Sequence, residues 1–418
     1  MSRAALRIFA RLAVIAAATG SAWSQQPVPL GAPEFRPTIE RPLGWRGDGS
    51  GRFPGATPVT EWSVTKNVRW STVVGSAYSS PVVTERFAFV TSEPDFLICL
   101  DRADGKVRWK LAITPADLTD PIGRKIAEDY KAPKDGSGLA AATPITDGRN
   151  VYALFANGLL CAVDLDGHRL WTAGIAAIPS TGYGRSASPI IVAGKLIVHM
   201  THLYALDPAT GRQFWVNEDA KSSYGTPAAC RVANTDLILT PLGDLVRAVD
   251  GTSAGSGLGH TSHSSPITGD GLLFFGDSTV SALRLDPALK DESVWTGMVS
   301  GEVFGSPLLH DGVLFLSTGE GELFAFEADG KDSLDPLINA RPLFVQTTAS
   351  PAAYTSLTLA GRYLFLVSNS GEIVVLEATR QARLVSRHKL PAGTGSSPVF
   401  SGGDMFLRDG EKLWCIGQ

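Results

Sequence analysis

Cysteine is scarce in this chain: four residues in 418, at Cys99, Cys161, Cys230 and Cys415, none adjacent and none in a Cys-x-x-Cys-His run. That spacing excludes a covalently attached haem. An excess of one charge sign is also missing, and a formal net charge of -4 gives no electrostatic reason to bind nucleic acid or anionic lipid. No apolar run is long enough to span a bilayer, which takes about 20 residues. Seven histidines occur, but no spacing among them, including His199 with His202 and His260 with His263, matches a helical zinc site. Helical periodicity is nearly absent. What the chain has instead is turn chemistry, with 44 glycines and 26 prolines between short β-branched and aromatic runs.

The N-terminus reads as an export signal. Arg3, Arg7 and Arg11 lead into the apolar run 12–18, and Ala22 and Ser24 are small residues where a signal peptidase reads. We expect residues 1–24 to be removed near Ser24 and the rest to work in the periplasm or outside the cell. No cysteine precedes Cys99, so a lipid-modified N-terminal cysteine is not expected. Residues 25–65 form an N-terminal extension.

Self-similarity organises residues 66–418. The cleanest unit is residues 188–215, four short strands with turns at Gly194-Lys195 and at Asp207-Pro208-Ala209-Thr210-Gly211. Each unit is headed by Ser or Thr before Pro: Pro81, Pro144, Pro189, Pro227, Pro266, Pro307, Pro351 and Pro398. The intervals fit a period of roughly 40 to 50 residues, the length of a four-stranded propeller blade, except for an insertion at 114–137. The reading is therefore all-β, an eight-bladed propeller. The unit headed by Thr226-Pro227 is the weakest, its last stretch (251–259) looking more like a loop than a strand. Too few residues follow Pro398 for four strands, so residues 66–70 should complete the last blade and close the ring.

The second half of the unit carries a resemblance. Ala205 to Trp215 matches Ala-x-Asp-x-x-x-Gly-Lys/Arg-x-x-Trp in full; Cys99 to Trp109 departs by Cys for Ala, and Ala162 to Trp171 is one residue short. This signature resembles the tryptophan-docking motif of the bacterial propellers named for pyrroloquinoline quinone (PQQ), over residues 67–418. Trp45 to Gly49 and Trp62 to Trp70 also resemble exported members of that family. The resemblance implies eight blades with Trp70, Trp109, Trp171, Trp215 and Trp295 packed between neighbours. For the family's quinoprotein dehydrogenases it implies an adjacent cysteine pair, calcium and an Asp base, and the cysteine pair is missing here. No cofactor or metal is expected.

Other motifs have structural explanations. Gly251-Thr252-Ser253-Ala254-Gly255 fits G-x-S-x-G, but the nucleophile motif needs a strand-to-helix turn and a glycine-rich loop follows. Asp164 to Gly167 starts like a calcium loop but has Ile175 where the twelfth-position Glu belongs. In the insertion, Asp120 caps, Pro121 suits the first helical turn, and Ile122, Ile126 and Tyr130 share a face, so a short helix should lie over the ring. Strand alternation puts Cys99 and Cys415 on one blade face and Cys161 on the other; four unbridged thiols are expected.

The residues three before each head proline are Tyr78, Ala141, Ser186, Tyr224, His263, Phe304, Thr348 and Gly395. If innermost strands line a channel, these form a ring at one mouth. With neighbours Tyr183 and Arg185, the candidate ligand ring is Tyr78, Tyr183, Arg185, Tyr224, His263 and Phe304. Two readings stay open: a plug of the mouth, or a small-molecule or peptide pocket. The functional expectation is a non-catalytic, monomeric scaffold that binds a protein or envelope component through a ring face. The alternative is a PQQ-type dehydrogenase.

Overall fold

The computed structural model of the chain describes residues 27–133, 138–177, 186–330, 340–348, 354–393 and 395–418. Its strands form eight antiparallel sheets in a ring. Their innermost strands number the blades: Val82–Val83, Ile145–Thr146, Ile190–Val192, Ala228–Val232, Ile267–Gly269, Leu308–His310, Thr358–Ala360 and Val399–Ser401 for blades 1 to 8. Blade 3 shows how local sequence builds the unit. Its first turn falls one residue earlier than the expected Gly194-Lys195, since Lys195 already pairs with Val192: Ala193 and Gly194 both take positive φ (49° and 71°), the primed hairpin geometry that suits strand twist. The Asp207 carboxylate then accepts from the Ala209 amide and the Thr210 hydroxyl, turning the chain into Gln213–Asn217.

Middle strands are buried on both faces, as in Phe87–Ser92 and Leu159–Asp164, because each blade packs against a neighbour on either side. That is why they read as continuous apolar runs. Outer strands such as Val107–Ala112 are largely open to solvent. Blade 4 keeps its fourth strand, Ser253–Gly255, where the sequence suggested a loop; a bulge at Leu245/Val246 lets three residues complete the sheet.

The ring closes as expected, with a shift in the strand's bounds. The closing strand is Val68–Val73, antiparallel to Lys412–Ile416 on the outside of blade 8. The extension before it folds against the base of the ring. Leu43 pairs with Thr146 of blade 2, and Arg52–Phe53 adds a parallel strand to Thr358–Ala360, so blade 7 has five strands. The chain then crosses to blade 8, where the Thr57 amide donates to the Gly402 carbonyl, and Trp62 stacks on His388 of blade 7 with ring centroids 4.6 Å apart.

In the described part of the insertion, a 3-10 turn (Pro115–Asp117) precedes the α-helix α1 (Pro121–Asp129), capped by Asp120, which accepts from the Ile122 and Gly123 amides. Gly123 meets Gly174 at the end of the blade 2 outer strand, and Arg169 of that strand pairs with Asp117. Tyr130 lies beyond the helix as its C-cap. Residues 1–26, which hold the expected export signal, lie outside the described residues. No described helix is long and apolar enough to cross a membrane.

Candidate functional site

The channel mouth is built on a closed ring of hydrogen bonds. The Ser80 amide donates to Thr143 Oγ1, Thr143 to Ser188 Oγ, Ser188 to Thr226 Oγ1 and Thr226 to Ser265 Oγ, at 2.8 to 3.0 Å. It continues from Ser265 to Ser306, Ser306 to Ser356, Ser356 to Ser397 and Ser397 back to Ser80, again at 2.8 to 3.0 Å. Each head thus donates its backbone N–H to the next blade and accepts on its hydroxyl from the preceding one, which explains Ser or Thr at every head. Proline after the head is a separate convenience: it can open a strand whose N–H has no ladder partner.

This ring corrects the seventh head. Ser356, followed by Leu357, occupies it, whereas Ser350-Pro351 lies outside the described residues. The mouth position of blade 7 therefore belongs to Tyr354. Thr348 instead sits at the end of the blade 6 outer strand, bonded to the Gly321 carbonyl. The spacing misled because a Ser-Pro pair precedes the true head by six residues.

Above the hydroxyl ring is a cavity of about 680 Å³. All eight hydroxyl residues line it, with Tyr78, Tyr224, His263, Phe304 and Tyr354 around the wall and Glu302 beside them. Four predicted ring residues, Tyr78, Tyr224, His263 and Phe304, are thus brought together; Tyr183 and Arg185 lie outside the described residues. The aromatic wall is continuous over four blades. Ring centroids lie 5.5 Å apart for Tyr224 and His263, 4.9 Å for His263 and Phe304, and 4.5 Å edge to face for Phe304 and Tyr354. At Ala141, Ser186 and Gly395 the wall is low; a Cβ on Gly395 would lie 3.0 Å from Tyr78 Cδ1, so the missing side chain leaves room for that ring.

Trp45 borders this cavity and a second one of about 400 Å³ under blades 3 to 5, and so stands between them. Nothing in the repeat pattern could have placed Trp45 there. The next residue, Arg46, anchors it: its fully buried guanidinium donates from Nη2 to the carbonyls of Pro307 (2.9 Å) and Leu357 (2.8 Å). Burial pulls its pKa down to about 9, with Asp48 opposing, so it stays charged at neutral pH.

The other candidates have structural roles. Ser253 sits in a strand with its hydroxyl near the Gly255 carbonyl, so no nucleophile elbow forms. Asp164 accepts from the Asp166 and His168 amides as a turn residue. Buried His199 bonds the Ala220 carbonyl, and His202 the Glu218 carbonyl. All four cysteines are unbridged, and burial pushes each thiol up to about 12. Strand register puts Cys99 and Cys415 opposite docking tryptophans, and Cys161 one position out of phase.

The docking tryptophans work as pairs with the next blade. The indoles of Trp70, Trp109, Trp171, Trp215 and Trp295 donate to the carbonyls of Arg102, Leu165, Pro208, Ala248 and Ala328. Each ring also covers a positive-φ glycine of that blade: Gly105, Gly167, Gly211, Gly251 and Gly330. Trp295 and Trp70 are buried, and Trp109, Trp171 and Trp215 are partly buried between their blades.

A tricarboxylated quinone held with calcium needs cations against its carboxylates and an oxygen-rich metal site. The described cavity lining offers Glu302 and His263 but no lysine or arginine, and the described residues hold no cluster of three His, Cys, Asp or Glu. These residues do not fit that group.

Comparison with solved structures places the fold among known propellers. BamB from Moraxella catarrhalis superposes with a TM-score of 0.59 at 14% identity, covering 84% of this chain and 98% of that one. The quinohemoprotein alcohol dehydrogenase of Comamonas testosteroni gives 0.58 at 11% identity, over 90% and 80%. A europium-containing methanol dehydrogenase gives 0.58 at 10%, over 89% of each chain. At these identities the likeness is one of fold. No curated protein sequence matches the chain. The family model described as outer membrane protein assembly factor BamB matches residues 10–254 and 242–397. With its Ser/Thr-headed, tryptophan-docked blades matched over most of their length, the chain belongs to that family of PQQ-like propellers.

Proposed function

We propose that this chain is a non-catalytic scaffold of the cell envelope that holds a protein or other envelope component against the face carrying α1. The observation that carries this reading is the mounting of α1. The helix is pinned through Gly123 on Gly174 and Asp117 on Arg169, yet Ile122 is 73% exposed and Ile126 38%. The apolar pair Ile122 and Ile126 points to solvent, and what packs is the face carrying Gly123 and Ala127. A rigidly held apolar pair, on a helix seated on the outer strand of blade 2, suits docking. The family description as an assembly factor for outer membrane proteins supports the same role, and an export signal at 1–24 would deliver the chain to it. The alternative, a quinone-dependent dehydrogenase, lacks a lining that fits the cofactor.

The test is in-cell crosslinking of the full chain against the Ile122→Asp/Ile126→Asp double variant. Wild type should give discrete crosslinked partners that the variant loses at unchanged thermal stability. Identical crosslinks in both, or dye-linked alcohol oxidation by the purified protein supplied with PQQ and calcium, would overturn the proposal.

A further inference from the structure

The lining of the mouth cavity has a chemistry of its own, independent of any protein docked at α1. Each of its eight Ser/Thr oxygens accepts a backbone N–H, and among the described residues Ser188 alone has a hydrogen-bond acceptor for its own proton, the Ser186 carbonyl. The remaining hydroxyl protons are free to donate into the cavity, and accepting one hydrogen bond strengthens the donor. Charge is almost missing from the described lining, Glu302 sitting at the exposed rim and His263 in the aromatic column. Arg46 is turned away beneath the floor, on the Pro307 and Leu357 carbonyls. Among the described lining residues a buried anion would find no lysine or arginine to pair with and a cation only Glu302 at the exposed rim, and leaving a buried charge unpaired is costly.

The aromatic residues divide into two groups. Tyr224, His263 and Phe304 are tilted by 32° and 33° to one another with ring centroids 5.5 and 4.9 Å apart, so each ring is partly covered by its neighbour. Tyr354 and Tyr78 are 46% and 41% exposed, and Trp45 lies at the floor, so these three have ring surface left for a guest. A neutral molecule with many acceptor oxygens and flat C–H faces satisfies both sets: its oxygens take the hydroxyl protons, and its slightly positive C–H bonds lie on π faces. A saccharide has that composition, and 680 Å³ is in the range of small-ligand sites.

We propose that the mouth cavity is a binding site for a neutral oligosaccharide, with Tyr78, Tyr354 and Trp45 as its aromatic platforms and the hydroxyl ring as its donor array. Isothermal titration of the full chain with chitobiose, chitotriose, cellotriose and maltotriose, alongside tetramethylammonium and benzoate as charged probes, tests it. At least one saccharide should bind saturably at one per chain. Tyr354→Ala and Tyr78→Ala should each weaken it about tenfold without lowering the melting temperature, since both side chains are largely outside the core. Ile122→Asp should leave saccharide affinity unchanged, which separates this site from the docking face. No binding by any of the four saccharides, binding of a charged probe in their place, or undiminished affinity in both tyrosine variants would overturn it.

Discussion

Five of the eight blade seams are docked by tryptophan and three are not, and the two sets differ on both sides of the seam. Where the outer strand carries the indole, the next blade's turn carries glycine, because a Cβ there would lie 2.5 to 2.8 Å from the ring. The undocked strands have Gly255, Phe344 and Ser386 at the tryptophan position, as their register shows. Opposite the first two, the turns carry Leu289 and Ala382, both at positive φ despite having side chains. Leu289 is partly buried against the core shared by blades 4 and 5, and Ala382 is buried in the cluster that Phe344 packs against, so the receiving blade fills the space from its own side. At the third seam the extension intervenes: Ser386 donates to the Thr60 carbonyl, and Trp62 packs nearby on His388. Indole and glycine act as one unit, lost together.

Breaking a docked seam should have the largest effect. Trp295→Ala removes a fully buried ring and its bond to Ala328, and should cost about 3–5 kcal/mol in denaturant titration. Trp62→Ala, at the seam served by the extension, should cost about 3 kcal/mol. Phenylalanine separates the two roles. Trp62 Nε1 has no hydrogen-bond partner, so Trp62→Phe should stay within about 1 kcal/mol, whereas Trp295→Phe leaves the Ala328 carbonyl unpaired and should cost about 1–3 kcal/mol. Equal losses for the two phenylalanine variants would mean that Trp62 docks as the repeat tryptophans do.

The glycine half of the unit is tested at a smaller scale. Gly211→Ala places a Cβ 2.6 Å from Trp171 at a φ of 72° and should destabilise by about 1–3 kcal/mol. Ala382→Gly, at an undocked turn, loses one buried methyl but relieves positive φ, and should fall within about 1 kcal/mol. If both changed the denaturation midpoint equally, the pairing would not be a unit. The smallest effect is chemical. With thiols pushed up to about 12, the native protein should be barely alkylated by iodoacetamide at pH 8, and all four cysteines should react at once in denaturant without reductant.

Pattern at the scale of one blade was legible: Ser/Thr heads, the Asp207 to Gly211 turn and the docking tryptophans are short-range features that the chain repeats. The shared mouth position of Tyr78, Tyr224, His263 and Phe304 also followed, because equivalent places in a closed ring meet at its axis. Tyr354 was missed because the head is defined by a hydroxyl that accepts from the preceding blade, and that bond spans 50 residues at Ser306 and Ser356.

The sequence by itself determined the repeat, the blade number and the closure by an N-terminal strand, since each rests on local strand and turn preferences counted along the chain. Tertiary structure alone decided the path of the extension, the floor made by Trp45 and the outward face of Ile122. Arg46 reaches carbonyls 261 and 311 residues away, and such contacts exist once the ring has closed and leave no period in the sequence.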